Sequence, residues 1–400
     1  MGPPKGGRVK AFLIAGEPSG DQLGGALMDG LRQLEPGIAF GGIGGPLMQN
    51  QGLTSLFDMG ELSVMGIAEV LPKYRHLKRR IAETAAAVIA QRPDVLITID
   101  SPDFCLRVAR IVRENAPDIR TVHYVAPSVW AWRPGRAQKM ARVIDQVLAL
   151  LPFEPPYMQA AGMRCDFVGH PVAVTPAVSK AEATAFRREY GLHDGPLILV
   201  LPGSRKSEIE RLLPVFGDAL TAVSRTSPDA QFIIPAVAAL APRIGELVAR
   251  WPVQPHILDA GDQDVATSDR RKQVAFGAAD FALAASGTVS LELAAAKTPM
   301  VIAYDMTWFS WQIMSRMIRI DTVTLINLVT KQNVIPEFLG PECKADAIAA
   351  GLLTLMQNPT RQKAQLAAMA DTMRALGQGQ DPGGLRAARA VLDGLSTQGR

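Results

Sequence analysis

Short apolar runs alternate along this chain with longer segments whose apolar positions recur every three to four residues. The first run, VKAFLIA (9–15), predicts a strand. Behind it Leu23, Leu27, Leu31 and Leu34 fall on one helical face, at steps of four, four and three. Ser19 or Asp21 would cap that helix. DVLITID (94–100), TVHYVAP (121–127) and QVLALLPF (146–153) predict further strands, with helices such as 78–91 and 104–115 between them. Strands that alternate with helices in this way build parallel sheets. The Pro-rich stretch GHPVAVTPAVS (169–179) interrupts the pattern and is the candidate linker. The alternation then restarts in PLILVLPGSRKSEIERL, QFIIPAV and DFALAASGTVSLELAAAKTPMVIAY. The reading is an α/β protein with two doubly wound, Rossmann-like domains, 1–170 and 171–384. A final helical tail, 385–400, is able to pack on either.

Length agrees, since 400 residues exceed one ordinary core and divide into two domains of common size. Hydrophobic residues make up 48% of the chain and aromatics only 6%, the balance of a layered α/β protein. Cys105, Cys165 and Cys343 lie far apart with no C-x-x-C spacing, which points away from a disulfide framework or thiolate zinc site and fits a reducing cytoplasm. The opening MGPPKGGRVK lacks the apolar core of a signal peptide, and no apolar run is long enough to span a bilayer. A net charge of +4 is too mild to predict a nucleic-acid partner, although a local basic cluster still matters.

In doubly wound sheets ligands bind beyond the carboxyl ends of the strands, so the chemistry is sought there. Four such positions carry polar or Gly-rich clusters: Gly16–Asp21, IDSPDF (99–104), LPGSR (201–205) and AASGT (284–288). Two lie in each half. Rossmann-like domains facing each other across a cleft, with clusters on both lips, describe the GT-B architecture of nucleotide-sugar glycosyltransferases. The first turn, GEPSGD, fails the tests for three common loops. It lacks the Lys-Ser/Thr of a P-loop, sets Ser19 one place late for a nucleophile elbow, and has no G-x-G-x-x-G. What remains is a polar turn in which Glu17, Ser19, Gly20 and Asp21 suit the hydroxyls of a sugar or acceptor.

AGEPSGDQLG, GIGGPLMQNQG, FDMGELSVMGIAEVLP, YVAPSVWAWRPGRAQKMAR, LPFEPPYMQAAG, FVGHP, LPGSRKSEIERL and ASGTVSLELAAAKTPMV follow one another from about residue 9 to 345. In content and order they resemble the signature blocks of the lipid-A-disaccharide synthase family. The resemblance implies an inverting transferase that moves 2,3-diacylglucosamine from UDP onto 2,3-diacylglucosamine 1-phosphate. The products would be the β-1,6-linked disaccharide 1-phosphate of lipid A biosynthesis and UDP. Two other readings are carried beside it. One is a different GT-B UDP-sugar enzyme, such as a UDP-N-acetylglucosamine 2-epimerase; the other is a non-catalytic, membrane-surface nucleotide-binding protein.

Inversion at an anomeric carbon needs a carboxylate to take the proton of the attacking 6-hydroxyl. The family's base position coincides with Asp100, at the end of a predicted strand. A strand-end aspartate serves equally as a helix cap, and Asp103 is the better placed of the pair for that. Their D-x-x-D spacing is not the D-x-D of metal-dependent transferases, and neither a metal nor another cofactor is expected. Charge on departing UDP would then fall to the protein. Gly203 lets backbone approach the diphosphate, Ser204 adjoins it, and Arg205 offers a charge-assisted fork. Ser286, Gly287 and Thr288 present N–H groups at a second helix start. Glu292, one turn on, would accept from ribose hydroxyls. Asn327 matches an essential asparagine of the family and equally fits a buried turn. Trp130 and Trp132, two apart, would share one face of a strand and pack in the core. Arg133 and Arg136 are candidates for the acceptor phosphate. Asp305, Ile326 and Lys331–Asn333 depart from the family pattern. DQDVATSDRRKQV (262–274) predicts an exposed loop or helix start.

Acylated substrates reside in a bilayer, and ELSVMGIAEVLPKYRHLKRRI (61–81) suits access to one. Val64, Met65, Ile67, Val70 and Leu71 form an apolar stretch directly before Lys73, Arg75 and further cations. The expectation is a protein on the cytoplasmic face of the inner membrane, in contact with its surface lipids. MTWFSWQIMSRMIRI (306–320) is a second candidate for membrane contact. Both stretches fit core packing as an alternative.

Overall fold

The computed structural model describes residues 8–62, 67–133, 135–259, 265–307, 311–312 and 320–398; side chains at 67–74, 259, 265–266 and 398 lie outside that description. Val64 and Met65 lie outside the described residues, as do the side chains of Ile67, Val70, Leu71 and Lys73. The same holds for Trp308, Phe309 and 313–319 of the second candidate stretch.

The chain divides into two compact units, one of residues 1–171 with 379–400 and one of residues 172–378. Each carries a six-stranded sheet. The first unit holds β1 (Lys10–Ala15), β2 (Ala39–Ile43), β3 (Val95–Ile99), β4 (Arg120–Tyr124), β5 (Gln146–Ala149) and β6 (Arg164–Phe167). They lie in the order β2-β1-β3-β4-β5-β6, all parallel. From β1 the chain steps outward to β2 and then crosses back to β3, so its winding reverses between β1 and β3, where Ala15 pairs with Ile99. Such a reversal leaves a crevice beyond the strand ends.

Helix Pro18–Leu34 buries Leu23, Leu27 and Leu31 against this sheet, as its period predicts. Leu34, at the helix end, is 38% exposed. Its face is shared with Ala387, Ala388 and Val391 of helix Gly383–Gln398. That last helix belongs to the first unit, and polar contacts fix it there: Gln146 Nε2 donates to the Ala390 carbonyl (2.8 Å) and Arg386 to the Phe167 carbonyl (3.1 Å). The opposite face packs helices Ile67–Gln91 and Pro102–Asn115 over Phe12, Ile14, Leu96 and Ile43.

The second unit holds β7 (Leu197–Leu201), β8 (Gln231–Ala236), β9 (His256–Asp259), β10 (Phe281–Ala284), β11 (Met300–Tyr304) and β12 (Glu337–Leu339), again parallel. In the order β12-β11-β10-β7-β8-β9 the winding reverses between β7 and β10, where Leu201 pairs with Ala284. Leu212, Phe216, Leu220 and Val223 of helix Lys206–Thr226 close one face of this sheet.

Some expectations are corrected. The predicted strand 121–127 stops at Tyr124, because Val125 turns the chain at φ +82°. Trp130 and Trp132 therefore sit in turns rather than on a strand, both part-exposed. The run 146–153 leaves the sheet at Ala149, ahead of the turn over 151–153. The helix expected over 78–91 begins a further three turns earlier, at Ile67. Of the stretch 262–274, residues 265–274 lie in helix Val265–Ala278, the helix-start alternative of the two expected.

Candidate functional site

The turn after β1 and the turn after β3 meet at the winding reversal of the first unit. Gly16 packs so closely on the second turn that a Cβ there would lie 2.7 Å from Ser101 Oγ. Gly20, buried in the first helical turn, rests on the Ile99 carbonyl, while Glu17 and Ser19 face outward. Asp100 and Ser101 both adopt the left-handed conformation, at φ +50° and +42°. That conformation costs energy for residues other than glycine and is least costly for Asn and Asp, and strained backbone of this kind clusters at functional sites. The Asp100 N–H donates to the Tyr124 carbonyl (3.0 Å), which holds the peptide and leaves the side chain half-buried.

Neither expected cap is present as such. Ser101, not Asp103, occupies the position before helix Pro102–Asn115, and Glu17 precedes helix Pro18–Leu34. Asp21 is corrected from a sugar-binding to a structural carboxylate. It is 3% exposed and accepts from the N–H groups of Gly45 (2.8 Å), Leu47 (2.9 Å) and Met48 (3.0 Å). Its carboxylate thereby caps helix Pro46–Asn50, and Gly44–Gly45, between β2 and that helix, bring those donors in.

Trp130 crosses Phe153 edge to face and donates from Nε1 to Glu154 Oε1 (3.3 Å). Glu154 also accepts from the Leu151 N–H (3.0 Å), yet burial dominates and pushes its carboxyl up to about 7. Arg133 stacks on Trp132 and remains exposed; Arg136 is part-exposed.

In the second unit the loops after β7 and β10 line one cavity of about 720 Å³. Gly203, Ser204, Arg205, Ser286, Gly287, Thr288 and Glu292 all contribute to its wall. Gly203 is required: at φ +104° a side chain would be strained, and a Cβ would meet Glu208 Oε2 at 2.4 Å. Arg205, with its side chain 75% exposed, forks toward Glu208 (3.0 Å). Helix Val289–Ala296 starts directly behind Ser286–Thr288, and the N–H groups of Ser290 and Leu291 donate back to the Gly287 (3.3 Å) and Thr288 (2.9 Å) carbonyls. Glu292 is paired with Lys272 at 2.6 Å. A volume of this size is that of an ordinary small-ligand site.

Asn327 does not join the cavity. It is 2% exposed, donates to Thr322 Oγ1 (3.2 Å) and the Ile335 carbonyl (3.0 Å), and accepts from the Ile335 N–H (3.1 Å). The buried-turn alternative is the one the contacts describe. Asp305 pairs with Arg211 at 3.2 Å.

Sequence reading missed one wall of the cavity. Ser268, Asp269, Arg271 and Lys272 come from helix Val265–Ala278, and Pro235, Ala236 and Val237 from the end of β8. The PAV after QFII was a legible strand end; the polar helix carried no comparable signal. Among the described residues no cluster of three or more His, Cys, Asp or Glu side chains has metal-holding geometry, and no helix is long and apolar enough to cross a membrane.

Solved structures share this architecture at low sequence identity. A UDP-N-acetylglucosamine 2-epimerase from Neisseria meningitidis, bound to UDP-GlcNAc, superposes with a TM-score of 0.64 at 11% identity, covering 98% of this chain and all of its own. A putative UDP-N-acetylglucosamine 2-epimerase from Listeria monocytogenes gives 0.64 at 13% identity, over 98% and 96%. The fold is thus that of the GT-B class, two Rossmann-like domains in one chain. Sequence resolves the family within it. A lipid-A-disaccharide synthase of Ruegeria pomeroyi is 60% identical over 97% of this chain and 96% of its own, and one of Rhodospirillum centenum 46% over 96% and 94%. The family model for lipid-A-disaccharide synthetase matches residues 11–383, and the chain belongs to that family.

Proposed function

We propose that this chain is an inverting glycosyltransferase of lipid A biosynthesis. It takes UDP-2,3-diacylglucosamine as donor and 2,3-diacylglucosamine 1-phosphate as acceptor, and forms the β-1,6 disaccharide 1-phosphate with release of UDP. The observation that carries the reading is positional. In each unit the predicted chemistry falls at the sheet's winding reversal, Asp100 beside Gly16 in the first and the two phosphate-type loops in the second. Family membership then selects the sugar-transfer chemistry.

The second unit holds the donor. Ser204, Arg205 and the N–H groups of Ser286–Thr288 meet the diphosphate, and Glu292 accepts from the ribose. As the anomeric bond to UDP breaks, negative charge grows on the β-phosphate oxygen, and the guanidinium with the loop N–H groups stabilises it. The first unit supplies the base. Asp100 accepts the proton of the acceptor's 6-hydroxyl as that oxygen bonds to the anomeric carbon from the face opposite UDP. Glu17 and Ser19 at the neighbouring turn position acceptor hydroxyls. The test is a coupled assay with defined acyl donor and acceptor. UDP release that requires the acylated acceptor supports the transfer. Turnover of UDP-N-acetylglucosamine alone would support the epimerase instead, and UDP binding with no release would support the non-catalytic reading.

The same proposal places the protein peripherally on the cytoplasmic face of the inner membrane, through the apolar residues before Lys73 and the cations that follow. Arg75, Lys78 and Arg79 are exposed on helix Ile67–Gln91. Each cation near an anionic surface contributes about 1 kcal/mol before screening by salt. Replacing the three by Gln should therefore lower sedimentation with phosphatidylglycerol vesicles about tenfold at moderate salt. Partitioning equal to the parent's would remove this segment from the contact.

A further inference from the structure

The donors that a diphosphate would use in the second unit already hold an anion, and it is the protein's own. Glu208 is the third residue of helix Lys206–Thr226, and its side chain is only 14% exposed. Its carboxylate accepts from the Ser204 N–H (3.2 Å), the Arg205 N–H (3.3 Å) and the Arg205 guanidinium (3.0 Å). It lies inside the turn at Gly203, since a Cβ there would reach Oε2 at 2.4 Å, and it lines the same cavity.

A glutamate at this position of a helix ordinarily completes a capping box by accepting the N-cap N–H. Here it does more. Two successive backbone N–H groups and a guanidinium converging on one carboxylate form an anion-binding concavity. The other cavity-lining cations described, Arg271 and Lys272, are paired with Glu189 and Glu292. A diphosphate entering this end has to share or take the donors of Glu208. The carboxylate has a second partner as well, the Tyr304 hydroxyl at the end of β11, which donates to Oε1 at 3.4 Å.

We propose that Glu208 is an exchangeable internal anion of the donor site. In the free chain it holds the Ser204–Arg205 loop in its receiving geometry; when the diphosphate binds, it yields these donors and retains the Tyr304 hydroxyl, from which it already accepts. This rests on the UDP-sugar reading above. Glu208 thereby positions Arg205 while setting how tightly UDP is retained, because two anions a few ångströms apart in a partly buried site disfavour each other.

Glu208→Gln tests it, since Gln keeps the acceptor oxygen of a capping box and removes the charge. Calorimetric titration of parent and variant with UDP and with uridine should show UDP bound about tenfold tighter by the variant and uridine bound equally. A purely structural role would move both ligands together. Unchanged or weaker UDP binding, with uridine affinity and melting temperature at parent values, would overturn the exchange. Tyr304→Phe removes the second partner and keeps the test open if Glu208→Gln does not fold. It should weaken UDP severalfold and leave uridine unchanged, and equal UDP affinity would overturn the proposal. A parent that binds UDP no more tightly than uridine would overturn the diphosphate site itself, an outcome distinct from failure of the exchange alone.

Discussion

Asp100→Asn should lower turnover by roughly two to four powers of ten, the range for loss of a general base, while UDP affinity and the unfolding midpoint stay near parent values. The substitution is suited to the site for a conformational reason. Asp100 sits at φ +50°, and Asn tolerates the left-handed region at least as well as Asp, so the strained turn survives. The Asp100 N–H bond to the Tyr124 carbonyl is a backbone contact and also survives. What the proposed mechanism would lose is the acceptor for the 6-hydroxyl proton. Single-turnover kinetics with defined donor and acceptor measure the chemical step directly. Turnover within a few fold of the parent would assign the base elsewhere.

Arg205→Ala should lower kcat by about two to three powers of ten and weaken UDP binding as well. Both parameters should move if, as proposed, the guanidinium meets ground-state charge on the diphosphate and the larger charge that develops as the anomeric bond breaks. The variant has a second handicap. Arg205 is the cation beside Glu208, and without it that carboxylate stays in the diphosphate end with its negative charge less compensated. Arg205→Lys should recover only part of the loss, since an ammonium replaces a planar fork by a point charge. Steady-state kinetics with a UDP titration check the pair. A variant with unchanged kcat and unchanged UDP affinity would remove Arg205 from leaving-group stabilisation.

Much of the fold was legible because sheet-forming runs buried on both faces read as continuous apolar stretches. VKAFLIA, DVLITID and PLILVL are of that kind, and each is a strand. The face of the first helix was equally plain for Leu23, Leu27 and Leu31. AFGGI hid because two glycines dilute its pattern, and RCDF because it is short and half polar. At the candidate site Gly203–Arg205 and Ser286–Thr288 stood out because two such strand-end clusters fall in one domain, whereas either alone fits a plain tight turn.

By itself the sequence determined the alternation, the two-unit α/β class, the family and the strand-end positions where polar chemistry gathers, since periodicity and ordered motifs are properties of neighbouring residues. Only the tertiary structure decided how those residues are spent. Asp21 and Asn327 look like ligands in one dimension, yet buried N–H and carbonyl groups brought from elsewhere in the chain occupy both. Arg271 and Lys272 look like surface charge, yet helix Val265–Ala278 turns them to the cavity wall. Glu208, which carried no signal of its own in the sequence, lies in the first turn of its helix and lines the cavity. The partners of Asp21 and the walls of the cavity are fixed by contacts between residues distant in sequence, of which local pattern carries no record; the contacts of Glu208 are local, and only the cavity the fold builds around them gives them their meaning.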